Sequence, residues 1–134
     1  MEFEFKSGVQ VFVRFSGKEN LKFILETSIT PEERNKGLSF RSSLSENYGM
    51  VFVFRPEEKV YVWMKDTFFS LDIIFINNGT VIKIVENTKP HQTYPMYESE
   101  AEITEFIEVN SGFTAKHNIN VGDKVVFEKI VLFK

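Results

Sequence analysis

The sequence predicts a mostly β member of the α+β class: a small barrel-like sheet, antiparallel or mixed, with one or two short helices. Three observations lead there. About eight short runs are rich in Val, Ile and Phe and are bounded by turn residues. Asn78-Gly79 lies between two of these runs as a tight hairpin signal, and helix signals are confined to two short stretches. No internal repeat or low-complexity linker interrupts positions 1–134, which read as one domain with 1–8 as a loosely ordered lead-in.

In chain order, Val9, Val11, Val13 and Phe15 alternate with Gln10 and Arg14, the two-residue period of a half-buried strand. Gly17 to Asn20 forms a polar turn and Leu21 to Glu26 returns, so the domain opens on a hairpin. Thr30-Pro31-Glu32-Glu33 is a capping box with proline at the first helical position, and Gly37 can close the helix in a left-handed conformation. A helix from Pro31 to Lys36 therefore carries Arg34 and leads into a loop with Phe40 and Arg41. Strands follow at Met50 to Phe54 and Val60 to Lys65, around a turn containing Pro56. Leu71 to Ile76 is nearly continuous apolar sequence, as in a strand covered on both faces, and the Asn78-Gly79 turn leads to Thr80 to Glu86. Thr88 to Tyr97 reads as a loop and Ile103 to Val109 as a strand whose alternation Glu105 breaks. Ser111 to His117 suits a short helix capped by Ser111, and Gly122-Asp123 turns into a closing strand, Lys124 to Leu132. Closing the sheet would hide the edges of such apolar strands.

Composition excludes several functions. A net charge of -3 leaves no basic face for a phosphate backbone, so nucleic acid is not an expected partner. The absence of cysteine removes disulfides, thiol nucleophiles and thiolate metal sites. His91 and His117 lack ligand spacing, so no metal is expected, and no Gly-rich phosphate loop or dinucleotide fingerprint calls for a cofactor. Lys65, Asp66 and Asp72 interrupt the longest apolar region, so no integral membrane segment is expected. The acidic run Glu98, Glu100, Glu102, Glu105 and Glu108 reads as a solvated strand and its approach.

Several short pieces share one order and spacing from about Thr27 to Phe127. They are Glu33-Arg34 with Gly37-Leu38, then Arg41 and Leu44, then Gly49-Met50 before VFVF. Trp63-Met64-Lys65, Thr67 and Leu71-Asp72 follow, then Gly79, Phe106-Ile107-Glu108, Gly112 and Gly122-Asp123. Together they resemble the signature of DUF192, a domain of unknown function. The resemblance implies a β-rich fold and lends no settled activity. The chain departs from the family's usual residues at Ser39, Asp66 and Ser70, where methionine, asparagine and proline are common. MEFEFKSG has neither the basic region nor the apolar core of an export signal, so a natural start at Met1 implies a cytoplasmic protein. Relatives often carry an export segment before the domain, which implies an exported or periplasmic protein if such a segment was trimmed.

Seven residues are the candidate ligand-binding set: Arg34, Arg41, Trp63, Lys65, Asp66, Thr67 and Asp72. If Val60, Val62 and Met64 face the core, Tyr61, Trp63 and Lys65 share the opposite face, where an indole can stack on a ligand while the lysine orients a polar or anionic group. Arg34 and Arg41 are placed to fork a carboxylate or phosphate, or to fasten helix to sheet through Asp72 or a neighbouring glutamate. Asp72 precedes an apolar strand, so its carboxylate needs donors. The expected cleft has the Arg34–Arg41 helix-loop and the Trp63–Asp72 segment as walls. No residue is assigned a catalytic role, and the expected function is non-catalytic binding of a small polar or anionic ligand such as a saccharide or peptide. The alternatives are a hydrolase using Asp72 or Asp66 with His91, and an interaction module using exposed phenylalanines or the acidic strand near Glu102.

Overall fold

A computed structural model describes residues 2–131, so Met1 and Leu132, the expected end of the closing strand, lie outside the described residues. The strands are β1 (Val11–Phe15), β2 (Phe23–Ser28), β3 (Tyr48–Glu58), β4 (Tyr61–Val62), β5 (Leu71–Asn77), β6 (Thr80–Val85), β7 (Tyr97–Glu98), β8 (Ile103–Asn110) and β9 (Val125–Lys129). The helices are α1 (Pro31–Lys36) and α2 (Phe113–Lys116). The fold is α+β and mostly β, as the strand runs predict. Seven strands make one mixed sheet in the order β6-β5-β8-β3-β2-β1-β9, curled into a half-barrel, and β4 pairs with β7 in a separate ribbon. Among the described residues only β2 and β3 pair in parallel, and α1 lies in the crossover between them. The two sheet edges approach at one end, where Val125 N–H donates to the Gly79 carbonyl at 2.8 Å and Val81 N–H to the Asp123 carbonyl at 2.9 Å.

The capping box of α1 forms as its sequence dictates. Glu33 N–H donates to Thr30 Oγ1 at 3.1 Å, and Thr30 N–H donates to Glu33 Oε1 at 3.0 Å. Gly37 follows with φ +45, and a Cβ there would sit 3.1 Å from the Phe52 ring. Glycine thus lets the turn after α1 lie directly on the sheet. Other expectations are corrected. β3 continues through Pro56 to Glu58, because its register with β8 shifts after Val53 and the proline falls in the irregular stretch. The expected Thr88 to Tyr97 loop ends in a strand, Tyr97–Glu98, while the Val60–Lys65 segment has ladder pairing only at Tyr61–Val62. Gly112, not Ser111, caps α2, because the Ser111 hydroxyl donates to the Asn87 side chain.

Two apolar clusters occupy the two faces of the sheet. One draws side chains from all seven strands, with Phe113 of α2 packed among them, and so fills the curl. The other comprises Met50, Phe52 and Phe54 of β3, Leu71, Ile73 and Phe75 of β5, and Ile103 and Phe106 of β8, covered by Leu38, Val60, Val62 and Met64. Strands apolar on both faces read as unbroken runs, which is why GMVFVF and LDIIFI lack alternation. Phe3 and Phe5 pack against the first cluster, Phe5 with its ring 5.0 Å from that of Phe127.

Asp72 ties these layers together. Fully buried at the start of β5, its carboxylate accepts from Asn87 N–H at 3.0 Å, Thr114 N–H at 3.0 Å and the Thr114 hydroxyl at 2.8 Å. These are the donors that its position before an apolar strand requires, and they fix α2 and the chain beyond β6 to the sheet. Asp72→Ala would orphan three donors at once. It should lower the unfolding free energy by about 3 kcal/mol, read as a reduced urea midpoint with unchanged slope.

Candidate functional site

The outer apolar cluster is incompletely covered, and the gap is a cleft of about 400 Å³. α1 and the turn after it form one wall, and the β4 segment from Val60 to Lys65 forms the other. Phe52, Phe54 and Phe106 make an aromatic floor, with Phe52 and Phe106 stacked at 4.3 Å and Phe54 and Phe106 at 5.8 Å. The volume and the mixture of apolar floor and polar wall fall in the range of small-molecule sites.

Four of the seven residues singled out by the sequence line this cleft: Arg34, Trp63, Lys65 and Thr67. The Arg34 guanidinium carbon lies 4.6 Å from the centre of the Phe54 ring, and one guanidinium nitrogen donates to the Ile29 carbonyl and, at 3.1 Å, to the Val53 carbonyl. Those bonds orient Arg34 without neutralising it. On the opposite wall Val60, Val62 and Met64 are buried, while Tyr61, Trp63 and Lys65 are exposed, the alternation expected of them. The Lys65 ammonium sits 5.3 Å from the Trp63 ring, and 43% of Trp63 is exposed, which leaves an indole face free to stack. Thr67 is buried at the base of the same turn, its hydroxyl donating to the Lys65 carbonyl at 3.3 Å and its carbonyl accepting from His91 N–H at 3.1 Å.

The other three residues lie elsewhere. Arg41 forks Glu26 at 2.6 and 2.9 Å, and this pairing holds the Glu26 carboxyl below its usual range. The ion pair expected for one arginine is thus made by Arg41, with Glu26 rather than Asp72. Asp66 takes a left-handed conformation with φ 55, which aspartate and asparagine tolerate better than most residues, and its carbonyl accepts from Phe40 N–H at 2.8 Å. It is a backbone clip between the two walls. Asp72 is the buried anchor described above, and His91 stands outside the cleft against Phe68, ring centres 5.3 Å apart.

The acidic run is only partly solvated, contrary to the sequence reading. Glu98, Glu100 and Glu102 are exposed, but Glu105 and Glu108 lie within the interior strand β8 and are buried. Glu105 is satisfied: it accepts from Arg55 at 2.6 Å and from the Thr104 hydroxyl at 2.7 Å. Glu108 is different. It pairs across the ladder with Met50 and Ile73, and it lines the floor of the cleft beside the three phenylalanines. None of the side-chain hydrogen bonds among the described residues reaches its carboxylate, yet no side-chain oxygen there is sealed from solvent without a partner. The carboxylate therefore opens on the cleft. Burial pushes the Glu108 carboxyl up to about 8. The signal that marks it in the sequence is a lone acid inside FIEV, where the strand is apolar on both sides of it.

The chain matches the DUF192 family, described as an uncharacterized ACR, over residues 12–127. It belongs to that family. Two solved structures resemble this DUF192 chain along nearly its whole length. A Sinorhizobium meliloti 1021 protein, provisionally described as a transcription regulator, superposes with a TM-score of 0.84 at 28% identity, covering 92% of this chain and 98% of its own. A protein of unknown function from Novosphingobium aromaticivorans DSM 12444 superposes with a TM-score of 0.79 at 31% identity, covering 90% of this chain and 87% of its own. No curated protein matches the chain. Among the described residues of this DUF192 protein, no helix is long and apolar enough to cross a membrane.

Glu108 makes a pH-dependent contribution whose sign is determined. Its folded value of about 8 lies above the ordinary 4.5, so the folded state holds the proton more tightly between those limits. Stability contributed by the neutral carboxyl is complete below 4.5 and is lost as pH rises towards 8. Glu108→Gln removes this loss. Its melting temperature should match wild type near pH 4 and exceed it by about 4 °C or more at pH 8.5, measured by calorimetry across the range.

Proposed function

We propose that this DUF192 domain is a non-catalytic binding domain for a small polar or anionic ligand, with a saccharide or peptide as the ligand classes that suit it. The observation that carries this reading is the convergence of Arg34, Trp63, Lys65 and Thr67 on one open cleft of about 400 Å³. Lys36 and Lys59 add cationic groups to the same walls, opposed there by Glu58. An anionic group would meet the guanidinium and ammonium groups while its carbon skeleton lies on the indole and the phenylalanine floor.

The hydrolase reading finds less support, because Asp72 spends its carboxylate on three internal donors and neither Asp66 nor His91 lines the cleft. A protein-interaction surface has one observation in its favour. Phe40 is 71% exposed and meets the exposed Phe68 edge-on at 6.2 Å, beside the Trp63–Lys65 wall. The regulator description of the Sinorhizobium relative raises DNA as a partner. A net charge of -3, with helices of 6 and 4 residues, speaks against recognition of a DNA groove by this domain.

Titration against a library of sugars, sugar phosphates, amino acids and short peptides tests the proposal. The best hit should bind Trp63→Ala/Lys65→Ala at least about tenfold more weakly than wild type, a loss of about 1.4 kcal/mol. Equal affinity for the double variant would remove the cleft as the binding site.

A further inference from the structure

We propose that the ligand of this cleft is a small zwitterion whose protonated amine is received by Glu108 on the floor while its anionic group meets Arg34 and Lys65 on the walls. The inference rests on the cleft being the binding site and says what chemistry it selects.

The floor carries the argument. Glu108 is 5% exposed, its carboxyl receives no hydrogen bond among the described residues, and it opens into the cleft. A carboxyl group in that condition, charged or neutral, costs stability, and a protein that keeps one in an interior strand has a polar group without a partner. Its neighbours on the floor, Phe52, Phe54 and Phe106, offer ring faces and no hydrogen bonds. Ring faces attract a cation and give nothing to a hydroxyl or a carboxylate. An ammonium group satisfies both the carboxylate and the rings. A second anion at the floor would face Glu108 across an apolar surface.

The walls carry the opposite sign. The charged side chains that share the cleft with Glu108 are Arg34 and Lys36 from α1, Glu58 and Lys59 at the end of β3 and beyond it, and Lys65 past β4. Tyr61 is the remaining titratable group there, and the strands flanking Glu108 present Met50 and Ile73, which are apolar. The cleft is thus acidic at its base and mainly cationic on its walls. That polarity selects a ligand with separated charges of opposite sign. Amino acids and amino sugar phosphates share this chemistry.

Binding also has a proton signature. Burial holds the empty Glu108 carboxyl at about 8, so it is largely neutral at pH 6.5 and must release its proton to solvent to pair with an ammonium group. Affinity for an amino acid, whose ammonium group persists beyond pH 8, should therefore rise about tenfold per unit from pH 6 towards 7.5 and level off above 8.

The test is isothermal titration of wild type with common L-amino acids, glucosamine 6-phosphate and the N-acetyl derivative of each. Acetylation removes the ammonium charge while retaining the anionic group. The best aminated probe should bind at least about tenfold more tightly than its acetylated form at pH 7.5, with one proton released at pH 6.5 in buffers of different ionisation enthalpy. Glu108→Gln should bind both forms alike, and Trp63→Ala/Lys65→Ala should weaken both. Equal binding of free and acetylated probes by wild type, or discrimination that persists in Glu108→Gln, would overturn the assignment to Glu108 even if the Trp63/Lys65 variant still weakens binding. If no probe in either form binds wild type, or none depends on Trp63 and Lys65, the cleft itself falls and this inference with it.

Discussion

The sheet of this protein is apolar on both faces at β3, β5 and β8, and the burial of the second face is the constraint on which the remaining structure depends. The curl of the sheet covers the inner face with side chains from every strand. Over the outer face, with Phe52, Phe54, Phe75 and Phe106, the described residues place no long helix, and the second sheet there is only the two-stranded β4-β7 ribbon. Leu38 in the turn after a six-residue helix and Val60, Val62 and Met64 around a two-residue strand must cover it. Such short elements cannot span the whole surface, and the uncovered part is the cleft. Hydrophobic surface left beside polar walls is what binding sites are made of.

Because the covering elements have little ladder pairing, isolated backbone bonds hold them in place. Phe40 N–H to the Asp66 carbonyl joins the two walls at 2.8 Å, and Met64 N–H to the Gln92 carbonyl at 2.7 Å supports the Trp63 wall from behind. Gly37 lets the turn after α1 take φ +45 and approach Phe52 more closely than a Cβ ordinarily sits. The walls are therefore set by a few local contacts of turn residues, which fits the role of loops on a rigid sheet.

The two buried glutamates of β8 show how strand geometry gives one residue type two different surroundings. Three residues apart, Glu105 and Glu108 point to opposite faces. On its face Glu105 meets Arg55 and Thr104, and its charge is absorbed by the fold. On the other face Glu108 meets phenylalanines and open space. The same residue type on the same strand is thus a structural ion pair in one place and a chemically open group in the other.

Much of this was legible in the sequence, because it depends on interactions between near neighbours. The capping box at Thr30 and Glu33, the hairpin at Asn78-Gly79, the alternating exposure from Val60 to Lys65 and the need of Asp72 for donors are all consequences of local chemistry. Arg34, Trp63 and Lys65 could be chosen because two cations and an indole stand where a helical or two-residue period reveals the exposed face, whereas Thr67 is buried beside them. Which of two arginines keeps its charge for the cleft depends on Glu26, 15 positions before Arg41 in the chain. The openness of Glu108 depends on what α1 and β4 leave uncovered above β8. Local sequence determines conformation and which face a side chain takes; only tertiary packing decides what lies across that face, since the partners come from distant segments whose meeting no short-range period encodes.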